Sequence, residues 1–373
     1  MKRFLAALLA LLAAQCLAQP VTPPPIAARA FIVVDVLSGQ TLAAANENDR
    51  FEPASLTKLM TAYVVFTAMR QGKLDAAALV KPSEKATRAE GARMFLMTGT
   101  PVTVAELLRG MIILSGNDAA VALAEALAGS EEAFVELMNR EARRMSLANT
   151  HFSNASGKPG ADHRASARDI ATLAAALIHD FPEHYPLYAQ KEFTYNRISQ
   201  ANRNRLLWTD STVDGMKTGF TEAAGYCLVA SARRGERRLI SVVMGAQSDT
   251  ARTSESQKLL NFGFQAYETR RLYKKGEPVA TPAVFKGTRD TVPLGFDRDI
   301  WLTLPRERFA GLTATLETRQ PFVAPLAAGQ KAGIMKLTRD HASVAEFPVV
   351  ALEEVPVAGF LSRGWDTLRL LFR

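Results

Sequence analysis

Glu52-Pro53-Ala54-Ser55-Leu56-Thr57-Lys58 opens a run in which Leu56, Leu59, Met60 and Tyr63 recur at helical spacing. Residues three apart share one face of a helix, so Ser55 and Lys58 can touch if the helix starts near Ser55. Pro53 stands just ahead of that start, where proline is tolerated. A serine hydroxyl is a poor nucleophile until a base takes its proton. No histidine lies nearby in sequence, but a neutral lysine can serve. Burial near the positive end of a helix depresses a lysine pKa. The same helix start offers a backbone N–H to a developing oxyanion. Taken alone, the pattern more often marks an N-cap serine and a solvated surface lysine, so the rest of the chain has to decide.

Ahead of this stretch, residues 30–36 are β-branched and apolar, Ser38-Gly39 is a turn, and residues 41–45 return, which predicts a hairpin. Behind it the helix runs to about Met69. Residues 91–103 read as irregular, with short β character over 94–97. Residues 104–113 read as a helix with Leu107, Leu108, Met111 and Ile112 on one side. That helix stops at Ser115-Gly116-Asn117-Asp118, and helices resume over 119–128 and 131–145. Residues 154–162 read as a loop, and 166–179 as a further helix. A polar, glycine-bearing edge at 214–220 precedes two strands, 225–232 and 238–245, joined at Arg234-Gly235. A long helix over 253–267 closes the region. A mixed α/β (α+β) domain over 30–270, an antiparallel sheet with helices on its faces, is the simplest architecture.

The pattern changes near Arg271. Short alternating segments such as 300–304, 312–316 and 347–352 predict a small all-β domain, a β-sandwich over 271–353. In the last stretch, 354–373, Val357, Leu361, Trp365, Leu368 and Phe372 share one side of a helical wheel. Ser362, Asp366, Arg369 and Arg373 share the other. Such a helix suits a membrane interface; a terminal helix packed on its own domain is the alternative. It is too short and too charged to span a bilayer.

The N-terminus has the pattern of a signal peptide over 1–18: Lys2 and Arg3, an apolar run from Phe4 to Ala14, and a small residue at Ala18. Gln15 ahead of Cys16 is too bulky and polar for a lipoprotein site. Residues 19–29 are proline-rich and read as a linker. The 373 residues suffice for two domains, and 48% hydrophobic with 22% charged residues is an ordinary globular balance. Of two cysteines, Cys16 leaves with the leader, so no intramolecular disulfide forms, and Cys227 in an apolar run reads as a core thiol. Five scattered histidines argue against a structural zinc site, and no metal or cofactor is expected. The net charge of +8 suits an anionic surface or substrate, while no nucleic-acid motif is present.

Three short motifs now stand in order: Ser55-Leu56-Thr57-Lys58, Ser115-Gly116-Asn117 in a helix break, and Lys217-Thr218-Gly219 ahead of a strand pair. Each alone is weak, and together they are specific. The chain resembles the penicillin-binding protein and class A β-lactamase superfamily. More narrowly it is similar to the D-alanyl-D-alanine carboxypeptidases among the low-molecular-weight penicillin-binding proteins. The resemblance covers nearly the whole chain. It implies a β-lactamase/transpeptidase-like catalytic domain, peptidoglycan stem peptides as substrate and β-lactam antibiotics as acylating ligands. It also implies attachment to the periplasmic face of the inner membrane through the C-terminal helix.

On that resemblance, Ser55 is the nucleophile, Lys58 its base and Ser115 a proton relay to the leaving amine. Asn117 holds the substrate backbone. Lys217 is a fixed positive charge, Thr218 bonds the terminal carboxylate, and Gly219 lets substrate lie on the strand edge. The backbone N–H groups of Ser55 and Phe220 form the oxyanion hole. Arg203 and Arg252 are either carboxylate binders or ordinary surface arginines. Several relatives carry histidine where Phe220 stands, and phenylalanine cannot titrate. A class A β-lactamase would need a glutamate to position water, and residues 154–168 contain none. An endopeptidase of the same fold, or an inactive wall-binding module, are the remaining alternatives.

Overall fold

The computed structural model describes residues 21–360 together with 366 and 367. The leader read over 1–18 lies outside them. The proline-rich segment behind it is not free: Ile26 and Ala28 pack against a buried core.

A five-stranded antiparallel sheet runs in the spatial order Thr41–Ala45, Ala30–Asp35, Arg237–Ala246, Gly225–Arg234, Val213–Thr221. The two central strands are buried along most of their length because helices cover both faces. Side chains alternate between those faces. Val229 and Val242 enter the larger core, shared with helices Lys58–Arg70, Val104–Ile113, Asn117–Ala128, Glu131–Arg144 and Ala167–Asp180. Leu228 and Val243 enter the smaller one, under helix Asp249–Ala266. The Lys58–Arg70 helix is buried on nearly every side, as expected of a helix that is apolar all round. A capping box starts the next long helix: Thr103 Oγ1 accepts from Glu106 N at 3.2 Å, and Glu106 Oε2 accepts from Thr103 N at 3.0 Å.

Some expectations need correction. No strand forms over 94–97; instead the buried carboxylate of Asp118 accepts from Met94 N at 3.0 Å and Leu96 N at 3.1 Å. A hairpin, Glu192–Tyr195 with Ile198–Ala201, was not read from the sequence. Its signal is the alternation of Phe193 and Tyr195 ahead of Asn196, which turns the chain at φ 45°.

Strand Tyr267–Tyr273 follows directly on helix Asp249–Ala266 and pairs with Ile300–Pro305, so a border at 270/271 falls inside a strand. The second domain is all-β. A four-stranded sheet in the order Leu294–Gly295, Ala342–Ala351, Lys331–Arg339, Thr313–Thr318 packs on a separate core containing Phe296, Leu302 and Val349. Val355 is bridged to Leu326 and Val357 to Gly287, so both belong to this domain and not to a helix starting at 354. Residues 361–365 and 368–373, most of the amphipathic segment, lie outside the described residues. No helix among the described residues is long and apolar enough to cross a membrane.

Candidate active site

The nucleophile stretch does not begin as an α-helix. Ala54–Thr57 forms a 3-10 turn that runs into the Lys58–Arg70 helix. In a 3-10 turn, positions i and i+3 eclipse one another. Lys58 Nζ accordingly sits 3.0 Å from Ser55 Oγ. Ala54, just ahead, is held at φ 48°, in the left-handed region that costs a non-glycine residue about 1–3 kcal/mol.

Lys58 is 1% exposed, and its other partners, Asn117 Oδ1 at 2.7 Å and the Ser156 carbonyl at 2.5 Å, are neutral. Burial pushes its pKa down to about 7, with Arg203 lowering it further and Asp118 opposing. A large fraction of Lys58 is therefore neutral near pH 7 and able to take a proton.

The helix break delivers the second motif. Ser115 turns the chain at φ 62° between Val104–Ile113 and Asn117–Ala128, which aims its hydroxyl into the cleft. Lys217 Nζ donates to Ser115 Oγ at 2.8 Å and to the Thr218 carbonyl at 2.9 Å. Neither partner is a carboxylate. Burial, with Lys58, Arg203 and Arg252 nearby, pushes the Lys217 pKa well below the ordinary lysine value. Burial therefore works against the positive charge expected of Lys217, and an anionic ligand would favour it.

Lys217, Thr218, Gly219 and Phe220 lie on Val213–Thr221, the sheet's edge strand. An edge strand leaves one row of backbone groups for an extended peptide. Gly219 has a structural reason besides the expected one. A Cβ there would sit 3.2 Å from Ala54 Cβ, Pro53 O and Ser55 N, so glycine lets the strand lie against the nucleophile turn. Phe220 is 50% exposed and stacks on Tyr226 at 4.3 Å between ring centroids.

The two arginines part company. Arg252 is buried: it donates to Asp249 Oδ1 at 2.5 Å and to the Gly219 carbonyl at 3.0 Å. Its Nε has no partner among the described residues. It braces the edge strand as much as it faces the cleft. Arg203 is exposed and lines the cleft. Ser55, Ser115, Asn117, Thr218, Arg203 and Arg252 all border one opening of about 850 Å³.

Sequence reasoning missed Arg205, Glu52 and Asn154. Arg205 borders the same opening and pairs with Asp249 at 2.6 Å. Glu52 reaches Arg164 and Thr221, each at 3.4 Å. Asn154 Oδ1 accepts from Gly157 N at 2.7 Å and Lys158 N at 3.0 Å, which shapes the loop that presents the Ser156 carbonyl to Lys58. Residues 154–158 carry the glycine and asparagine of a turn, but nothing local tells which carbonyl faces Lys58.

Residues 17–248 match the D-alanyl-D-alanine carboxypeptidase family, and residues 267–357 match the C-terminal domain of penicillin-binding protein 5. The chain belongs to the D-alanyl-D-alanine carboxypeptidase family. It is 42% identical to the D-alanyl-D-alanine carboxypeptidase DacC of Escherichia coli, over 95% of this chain and 90% of the relative. It is 38% identical to DacF of Bacillus subtilis, over 90% of this chain and 87% of the relative. Penicillin-binding protein 5 of Haemophilus influenzae superposes with a TM-score of 0.87 at 41% identity, covering 90% of this chain and 100% of that one. Penicillin-binding protein D2 of Listeria monocytogenes in its ampicillin-bound form superposes with a TM-score of 0.61 at 30% identity, over 65% of this chain and 100% of that one.

Proposed function

We propose that this carboxypeptidase removes the terminal D-alanine from peptidoglycan stem pentapeptides through an acyl-enzyme at Ser55, and that penicillins acylate the same oxygen. The observation that carries the reading is a buried lysine without an anionic hydrogen-bond partner, 3.0 Å from a serine hydroxyl beside an open strand edge. Neutral Lys58 takes the Ser55 proton as Oγ attacks the penultimate D-alanine carbonyl. The oxyanion forms against the backbone N–H groups of Ser55 and Phe220. The C–N bond then breaks as Ser115, held by Lys217, gives its proton to the departing amine and takes up the one that Lys58 removed from Ser55. Water hydrolyses the ester and regenerates Ser55.

Arg203, Arg252 and Thr218 supply the donors for the substrate's terminal carboxylate, a role that fits their place on the cleft. Asn117 holds the peptide backbone. The test is Ser55→Ala. D-alanine release and penicillin adduct both disappear on this reading, and D-alanine release that survives the substitution would sink it.

The leader at 1–18 and the amphipathic stretch at 361–373 support a place on the periplasmic face of the inner membrane. Val355 belongs to the β domain, so a chain ending at Gly359 keeps that core intact. It should leave the membrane fraction while retaining its acylation rate. Membrane association of the shortened chain would contradict the anchor.

A further inference from the structure

His163 is 1% exposed and lies on the loop that covers the nucleophile turn, outside the three motifs. Its hydrogen bonds have a fixed polarity. The Thr57 hydroxyl donates its one proton to the Ala54 carbonyl at 2.8 Å. Thr57 Oγ1 can then only accept from His163 Nε2, 2.7 Å away. At the other ring nitrogen, Nδ1 accepts from the Ser153 backbone N–H at 2.9 Å. The ring is therefore neutral, with its proton on Nε2. The chain of bonds ends on the carbonyl of the residue held in the left-handed region immediately before Ser55. The same loop backs that carbonyl a second time: a Cβ on Gly157 would stand 1.9 Å from Ala54 O.

We propose that His163 is a positioning residue for the nucleophile. As an Nε2–H donor it locks Thr57 onto the Ala54 carbonyl and so holds the strained turn that aims Ser55 at Lys58. The inference rests on Ser55 being the nucleophile. Protonation disturbs the arrangement, because Nδ1–H would face the Ser153 N–H donor at 2.9 Å, with only the Ser153 hydroxyl, at 3.2 Å, to receive it. It would also add a cation beside His151, Arg164 and Lys58, the charged or titratable groups around the ring. Burial is the largest cause that pushes the His163 pKa down to about 4, and those three groups add to it. The ring stays neutral across the range in which Lys58 works.

Intact-protein mass with benzylpenicillin tests this on the full mature chain. The time courses separate the dissociation constant of the first complex from the acylation rate constant. His163→Gln keeps an N–H donor near the Nε2 position, whereas the shorter amide of His163→Asn stays near Nδ1 and cannot reach Thr57 Oγ1. A misaimed nucleophile costs about 100-fold in rate, so His163→Asn should acylate about 100-fold more slowly with an unchanged dissociation constant. His163→Gln should stay within about tenfold of the parent. If His163→Asn does not fold, Thr57→Val cuts the same bridge and takes its place. Below about pH 4 the parent should lose acylation more steeply than His163→Gln, which lacks the second titrating group. The proposal is overturned if His163→Asn acylates at the parent rate, if His163→Gln is as slow as His163→Asn, or if the acid limbs coincide. No adduct on the parent at all would instead overturn the role of Ser55.

Discussion

Lys58 has to be neutral to accept a proton, and the site supplies burial without an anionic hydrogen-bond partner. Its folded pKa lies below the usual lysine value, so the neutral fraction grows as pH rises through about 7. The acylation rate constant should therefore rise about tenfold per pH unit below that point and level off above it. A profile flat from pH 5 to 8, read by stopped-flow or rapid-quench mass, would mean that Lys58 is not the base. The arginines should also separate. Arg203→Ala should weaken capture of a substrate carboxylate without lowering the melting temperature. Arg252→Ala should do both, because Arg252 holds the Gly219 carbonyl and Asp249. Equal melting temperatures for the two variants would contradict that division. That Ser55 meets Lys58 and Ser115 meets Lys217 was legible in the sequence because side-chain type and spacing mark them. The Ser156 carbonyl was not, since every residue has a carbonyl and only the fold decides where it points.

At the scale of elements, the nucleophile turn is squeezed between the edge strand and the loop over it. Gly219 meets it on one side and Gly157, at φ 91°, on the other. Gly157→Ala would drive a methyl group into the Ala54 carbonyl. It should lower stability by about 1–3 kcal/mol and acylation by at least tenfold, checked by urea unfolding and intact mass. A variant of parental stability would show that the loop yields easily. The helices at Val104–Ile113 and Glu131–Arg144 were readable from apolar periodicity. The turn at Ala54–Thr57 was not separable from a helix start, because 3-10 and α conformations share the same sequence preferences over four residues. The segment 91–101 escaped for a different reason. Its conformation is set by a buried carboxylate, Asp118, from a helix far along the chain.

At the scale of the whole molecule, one buried carboxylate joins the two domains. Asp35 accepts from Arg237 Nε at 2.8 Å and Thr269 Oγ1 at 2.6 Å, while Ser38 and Thr303 meet at 2.6 Å beside it. Removing one partner of a buried ion pair costs about 3–5 kcal/mol. Asp35→Ala should lower thermal stability by that order and expose the strand Tyr267–Tyr273 to protease, with the acylation rate constant unchanged. A slower acylation would mean that the domains are coupled catalytically. Two domains were legible from the change of pattern near Arg271. The border itself was not, because strand Tyr267–Tyr273 takes its partner from Ile300–Pro305, and pairing at that distance leaves no local mark.

If Ser55 is an activated nucleophile with Lys58 as its base, a penicillin should acylate it. The most direct measurement is intact-protein mass against time after a penicillin is added to the purified mature chain, alongside Ser55→Ala. A single covalent adduct should form on the parent protein and none on the variant. An adduct on both, or on neither, would contradict it.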